Sequence, residues 1–151
     1  MYRKILVPLD GSELAENALS QVRNLTGLGS VGEVTLLNVI EIDVTGLFSE
    51  GSTRNFDLPA LRKAHFEESR KYLEKIQSQL SAEGIKVTTE TLEGRPAQMI
   101  VDYSQKNSVD LIVIATHGYS GMKRLMFGSV ALRVLHDSHA PVLLIRPESC
   151  R

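Results

Sequence analysis

The chain contains a single cysteine, Cys150. An intrachain disulfide is therefore excluded, and so is a zinc site built from cysteines. A lone thiol one residue from the end reads as a surface group. An excess of charge of one sign is missing as well: 17 Lys and Arg stand against 18 Asp and Glu, for a net charge of -1. A general nucleic-acid binder normally carries a basic excess or a basic stripe. No apolar run approaches the ~20 residues that span a bilayer. No basic, then apolar, signal-like segment opens the chain, and the expected location is a reducing cytoplasm. Two familiar phosphate-binding patterns are also absent, G-x-x-x-x-G-K-[ST] anywhere and G-x-G-x-x-G after the first strand. Their absence argues against a P-loop ATPase and a nicotinamide dehydrogenase of the usual kind.

What is present is an ordinary globular composition, 42% hydrophobic and 23% charged over 151 residues. That length suits one domain, since domains commonly take about 100–200 residues. Residues 1–151 are accordingly expected to form a single domain, with no internal repeat, low-complexity tract or linker.

Short β-rich runs alternate with amphipathic stretches. Lys4-Ile5-Leu6-Val7-Pro8-Leu9 and Asp110-Leu111-Ile112-Val113-Ile114-Ala115 are nearly all apolar, as strands buried on both faces are. Glu33 to Ile40 and Pro141 to Arg146 read as further strands. Ile85 to Leu92 alternates more, which places it nearer an edge. Helices are expected from about Glu13 to Leu25, Leu58 to Ala82, Pro96 to Asn107 and Ser129 to Asp137. Ser12 suits the first N-cap, Gly27 and Gly84 suit helix stops, and Pro96 suits a first helical position. Glu67 and Lys71 are spaced as an i,i+4 pair on the wet side of the second helix. Residues 41–56 have no steady period and form an irregular connection, open to two readings: a surface excursion, or a lid over a ligand.

Strands separated by helices imply parallel pairing with right-handed crossovers, a doubly wound α/β sandwich of five strands. The two most apolar strands, the first and fourth, belong side by side at the centre. In such sheets ligands bind beyond the carboxyl ends of the strands, where strand order reverses. The loops that meet there are Pro8-Leu9-Asp10-Gly11-Ser12 and Thr116-His117-Gly118-Tyr119-Ser120-Gly121, the latter leading to Gly128-Ser129. Glycines permit close backbone approach, and a helix N-terminus favours anions. On spacing alone, this loop suits either a polyphosphate wrap or a plain strand-to-helix connection. Asp10 suits either ligand contact or capping of the next helix. His117, Lys123 and Arg124 are placed either to meet phosphate or to face solvent. His136 and His139 lack a third ligand nearby, so a helix-end charge effect is the simpler account. Asn24-Leu25-Thr26 matches a glycosylation sequon that a cytoplasmic protein would not use.

The opening segment from Lys4 to Ser12, the stretch from Ile114 to Val130 and the run from Ala140 to Ile145 together resemble the universal stress protein family, and the resemblance covers nearly the whole chain. It implies a Rossmann-like fold similar to the adenine nucleotide alpha hydrolases, with strand order 3-2-1-4-5. The family's ATP-binding branch has a pattern of Gly, two residues, Gly, nine residues, then Gly and Ser or Thr. Gly118, Gly128 and Ser129 fit that pattern, and Ala115 stands at the first glycine. By position, the resemblance implies that Asp10 bonds the ribose or adenine side, with Pro8 and Leu9 shaping the wall. Val39 and Ile114 would pack on adenine, and Ala115 would face the ribose. Gly118, Gly128, Ser129 and the backbone at Val130 and Ala131 would hold phosphates. ATP is the expected ligand, with AMP or ADP as alternatives and Mg or Mn accompanying the nucleotide. No nucleophile–base pair, metal cluster or arginine finger can be nominated, so no catalytic residue is assigned. An adenylate-forming or pyrophosphatase enzyme would need a Ser-Gly-Gly-x-Asp-Ser loop after the first strand, where only Asp10-Gly11-Ser12 stands, or a His-x-Gly-His motif.

Four consecutive apolar residues, Val142, Leu143, Leu144 and Ile145, make the last strand. At a sheet edge such a strand invites pairing with another chain. A homodimer through it is expected, and the resemblance implies the same. The competing reading is a dimeric interaction module that binds no nucleotide, suggested by Ala115 and Ala131.

Overall fold

The computed structural model describes residues 1–29, 31–42, 57–116 and 126–146. Five strands lie in one parallel sheet: β1 (Tyr2–Pro8), β2 (Val31–Ile40), β3 (Val87–Glu93), β4 (Leu111–Ala115) and β5 (Val142–Ile145). Their spatial order is β3-β2-β1-β4-β5, as expected. In register, Leu6 lies beside Thr35 on one side and Ile112 on the other, and Ile114 lies beside Leu144. Every residue of β4 is buried, as are Ile5 to Pro8 of β1 and Val34 to Val39 of β2. β3 sits at the edge, and its burial alternates as its sequence does.

The helices are α1 (Glu13–Glu16), α2 (Ala18–Gly27), α3 (Leu58–Ala82), α4 (Pro96–Lys106) and α5 (Met126–Asp137). Right-handed crossovers put α1, α2 and α3 on one face of the sheet and α4 and α5 on the other. α3 packs on β2 and β3, α4 on β2 and α5, and α5 on β4 and β5. Among the described residues, no helix is long and apolar enough to cross a membrane.

The local causes are readable. Asp57 caps α3 by accepting the Ala60 N–H at 3.0 Å. Gly84 closes that helix at φ +85°, with its own N–H on the Ser81 carbonyl (3.0 Å) and the Ile85 N–H on the Leu80 carbonyl (3.1 Å). That paired pattern needs a left-handed residue, hence glycine.

Three expectations need correction. The single helix expected over 13–25 is interrupted at Asn17. The Asn17 side-chain amide donates to the carbonyls of Glu13 and Leu14 (3.2 Å each), competing with the backbone for those acceptors. α5 begins at Met126, three residues before Ser129, so Gly128 and Ser129 are the third and fourth helical residues rather than its cap. Glu67 pairs with Arg70 and not with Lys71. The forked guanidinium of Arg70 reaches both Glu67 and, at 2.8 Å, Glu74, which a lysine ammonium does with less geometric preference.

Candidate functional site

The chain leaves β1 toward β2 and leaves β4 toward β5, so the carboxyl ends of β1 and β4 border the reversal in strand order. The loop after β1 is held in place at its first peptide. The Leu9 N–H donates to the Leu37 carbonyl at 2.8 Å, and the Leu9 carbonyl accepts from Asn38 Nδ2 at 2.7 Å. Leu9 is thus tied to β2 through both its backbone groups. Asp10 then closes a local turn: its Oδ1 accepts the Ser12 N–H at 2.9 Å and the Ser12 hydroxyl at 2.5 Å. Ser12 Oγ in turn accepts the Ala15 N–H at 3.1 Å, capping α1. Asp10 therefore orients the cap rather than supplying it. Gly11, between them, sits at φ +89° with open space where a Cβ would be. Conformation alone calls for glycine there.

Beside this loop lies a cleft of about 520 Å³. Its sheet side is formed by Asp10, Gly11 and the end of β2, from Asn38 to Ile40, continuing to Glu41. Its other wall is one face of α3, made by His65, Glu68, Ser69 and Tyr72 at helical spacing. The volume falls within the usual range of ligand pockets, roughly 300–1,000 Å³. Asp10, Glu41 and Glu68 bring three carboxylates to the lining, and among the described residues no Lys or Arg contributes to it. Ser69 Oγ and Thr91 Oγ1 share a hydrogen bond of 2.7 Å. Burial, with the negative charges of Glu16 and Asp10, raises the Tyr72 phenol well above its ordinary pKa. On the α4 face, Pro8, Leu9, Asp10 and Val39 meet Pro96 and Ile100 around a much smaller recess.

Of the residues nominated from sequence, Pro8, Leu9, Asp10 and Val39 come together at this sheet edge. Ile114 and Ala115 end β4 with their side chains in the core. On α5, Ser129 is exposed, Gly128 and Val130 are half-buried, and the Ala131 methyl is fully buried. His117, Gly118, Gly121, Lys123 and Arg124 lie outside the described residues, as do Cys150 and all but the first two residues of the 41–56 connection. His136 bonds Asp137 through Nδ1 at 2.6 Å and is exposed. Among the described residues, no group of three or more His, Cys, Asp or Glu could hold a metal ion.

Sequence reasoning missed Asn38 and the α3 wall. Asn38 was available as the one polar side chain in the run Leu36-Leu37-Asn38-Val39-Ile40. The α3 residues carried a weaker signal, polar groups at positions i, i+3, i+4 and i+7.

Sheet order, reversal point and cleft define a doubly wound α/β protein with a ligand-sized site at its carboxyl edge. The profile described as "Universal stress protein family" matches residues 1–146, and the chain belongs to that family. Universal stress protein MJ0531 of Methanocaldococcus jannaschii is 35% identical over 147 residues, spanning 97% of this chain and 83% of that protein. The solved structure of protein MJ0577, from the same organism, superposes with a TM-score of 0.79 at 33% identity, covering 98% of each chain. The fold is also shared with a family protein from Arabidopsis thaliana with AMP bound (TM-score 0.67, 16% identity, 97% of this chain and 94% of that one). A universal stress protein in complex with cAMP shares it too (TM-score 0.62, 17% identity, 96% and 97%).

Proposed function

We propose that this protein binds an adenine nucleotide, ATP in the first instance, and acts in the cytoplasm as a nucleotide-dependent regulatory switch of the stress response. The observation that carries the reading is the built edge at Asp10 and Val39, a cleft of ligand size at the carboxyl end of a doubly wound sheet. In this reading Asp10 meets the ribose or adenine side, Pro8 and Leu9 shape the wall, and Val39 packs on the base with Ile114 behind it. Ala115 borders the ribose. Gly118, Gly128, Ser129 and the backbone at Val130 and Ala131 take the phosphates, with Mg²⁺ or Mn²⁺ accompanying them. The start of α5 favours that end of the ligand, because unpaired N–H groups and the helix dipole attract anions. That two proteins of this fold carry AMP and cAMP makes nucleotides the first ligand class to test.

Titrating the purified protein with ATP and Mg²⁺ or Mn²⁺ in a calorimeter is expected to give saturable binding below millimolar concentration. No heat or mobility change at millimolar ATP would sink the reading. Mass spectrometry of freshly purified, denatured protein would show ATP, ADP or AMP if one co-purifies.

A second reading, a dimeric interaction module without nucleotide, draws on β5. Among the described residues it is one of the two edge strands of the sheet, and Leu143 there, with Leu132 and Leu135 on the adjacent α5, is exposed. A homodimer through Val142, Leu143, Leu144 and Ile145 would cover both the strand edge and these side chains. Leu143 is the residue to change, since Val142, Leu144 and Ile145 pack against the core. Leu143→Lys is expected to convert a dimer to monomers in sedimentation-velocity runs. An unchanged dimer would remove β5 from the interface. A nucleotide-free dimer whose parent form ignores ATP would favour the module.

A further inference from the structure

We propose that the Tyr72 hydroxyl hydrogen-bonds the base of the bound nucleotide, which enters the cleft between the Asp10 loop and α3. The inference rests on the nucleotide reading above and names a group on α3 that would hold the ligand. The Tyr72 hydroxyl oxygen is buried and makes no hydrogen bond to the protein, and no other described side chain leaves a buried nitrogen or oxygen in that state. The Gly11 backbone lies close enough to temper the phenol's raised pKa, yet it does not complete a hydrogen bond. Buried polar groups are nearly always paired, so an orphan beside a cleft needs an account. Its neighbours are already committed: Ser69 bonds Thr91, and the Asn38 amide donates to the Leu9 carbonyl. Tyr72 therefore retains hydrogen-bonding capacity on this wall.

Electrostatics select which part of a nucleotide can come here. Three carboxylates line the cleft, with no Lys or Arg among its described residues. A triphosphate would meet like charge from the half-buried Asp10 and the more exposed Glu41 and Glu68, with no cation among the described lining residues to offset it. A neutral ring with hydrogen-bonding nitrogens meets no such penalty. It would lie on Val39, with the phosphates pointing out toward the start of α5. Burial also keeps the phenol protonated at every physiological pH, so it remains a donor as well as an acceptor.

The test is Tyr72→Phe, which removes one oxygen and keeps the ring. Binding of ATP and of adenosine is measured by calorimetry, and the melting temperature is measured without ligand. Both ligands are expected to bind about 5–20-fold more weakly, as for loss of one buried hydrogen bond that leaves its partner unpaired. The unliganded melting temperature is expected to hold or rise, because the variant no longer buries an unpaired hydroxyl. Three results would overturn the contact: unchanged affinity for both ligands, weakening for ATP alone, or a lowered melting temperature without ligand. The second would place the hydroxyl at the phosphate end, and the third would assign it a structural partner. A parent protein that binds neither ATP nor adenosine would remove the nucleotide reading itself, and this contact with it.

Discussion

Ile112→Ala is expected to lower stability by about 2–5 kcal/mol, the range found when a large aliphatic side chain is deleted from a packed core. Ile112 is fully buried near the middle of β4, beside Leu6 of β1 and Val142 of β5. Helices cover the sheet on both faces, so no solvent-side movement can fill the space the deletion leaves. Nor can the strand shift to close it: the Ile112 N–H is held on the Pro141 carbonyl at 2.9 Å. For a domain of this size the loss corresponds to a fall in melting temperature of roughly 5–15 °C. Urea denaturation of parent and variant measures it directly. The control is Leu28→Ala at an exposed position, expected to change stability by less than about 0.5 kcal/mol. A loss under about 1 kcal/mol at Ile112 would mean that β4 is not the close-packed centre of the sheet.

Asn38 carries the second large effect, because it joins the fold to the site. Its amide donates to the Leu9 carbonyl across two strands, and Asp10 comes directly after Leu9. Asn38→Ala leaves that buried carbonyl without its partner, at a cost of about 1–3 kcal/mol. It also frees the Asp10 loop, so ATP affinity is expected to fall about tenfold, the effect of roughly 1.4 kcal/mol. Destabilisation with unchanged affinity would show that the Leu9 N–H bond to Leu37 and the Ser12 contacts hold Asp10 without Asn38.

Asn38→Asp adds a pH signature. A buried carboxylate facing a carbonyl oxygen is disfavoured, so the folded-state pKa of the new group is raised above its unfolded value of about 3.9. Protonated, it can donate as Asn does; ionised, it cannot. The variant should therefore stand closest to the parent at low pH and lose ground as pH rises from the unfolded pKa through the raised folded one. Denaturation of both proteins at about pH 5 and about pH 8 reads the difference, with the larger gap expected at the higher pH. A gap independent of pH would mean that residue 38 reaches solvent when charged.

The fold came from patterns that act over a few residues. Two short, nearly all apolar runs, from Lys4 to Leu9 and from Asp110 to Ala115, read as strands covered on both faces, and the sheet places them side by side. The alternating run near Val87 became the edge strand because its exposed positions need water. Pro96 and Gly84 act through their own backbone geometry, one starting α4 and the other closing α3, whatever surrounds them. Residues at the ends of β1 and β2 that the family resemblance singled out, Asp10 and Val39 among them, also meet at one edge.

Other features were decided only when distant segments met. Periodicity shows which face of α3 turns inward, as Leu73, Ile76 and Leu80 do, but not what the neighbouring His65–Tyr72 face looks onto. That depends on helical residues more than fifty positions along the chain from Asp10 coming to lie over the end of β2. Asn38 reads as one polar residue in a strand until the Leu9 carbonyl arrives opposite it. The start of α5 at Met126 places Gly128 and Ser129 within the first turn, because a helix continues toward its N-terminus while packing and hydrogen bonds support it. Composition, spacing and backbone preference determined the strands and put the first and fourth at the centre, while the remaining order was what the family resemblance implied. Which side chains wall the cleft, and which polar atom among them is left without a partner, was decided by tertiary contacts, since burial and pairing belong to groups far apart in sequence.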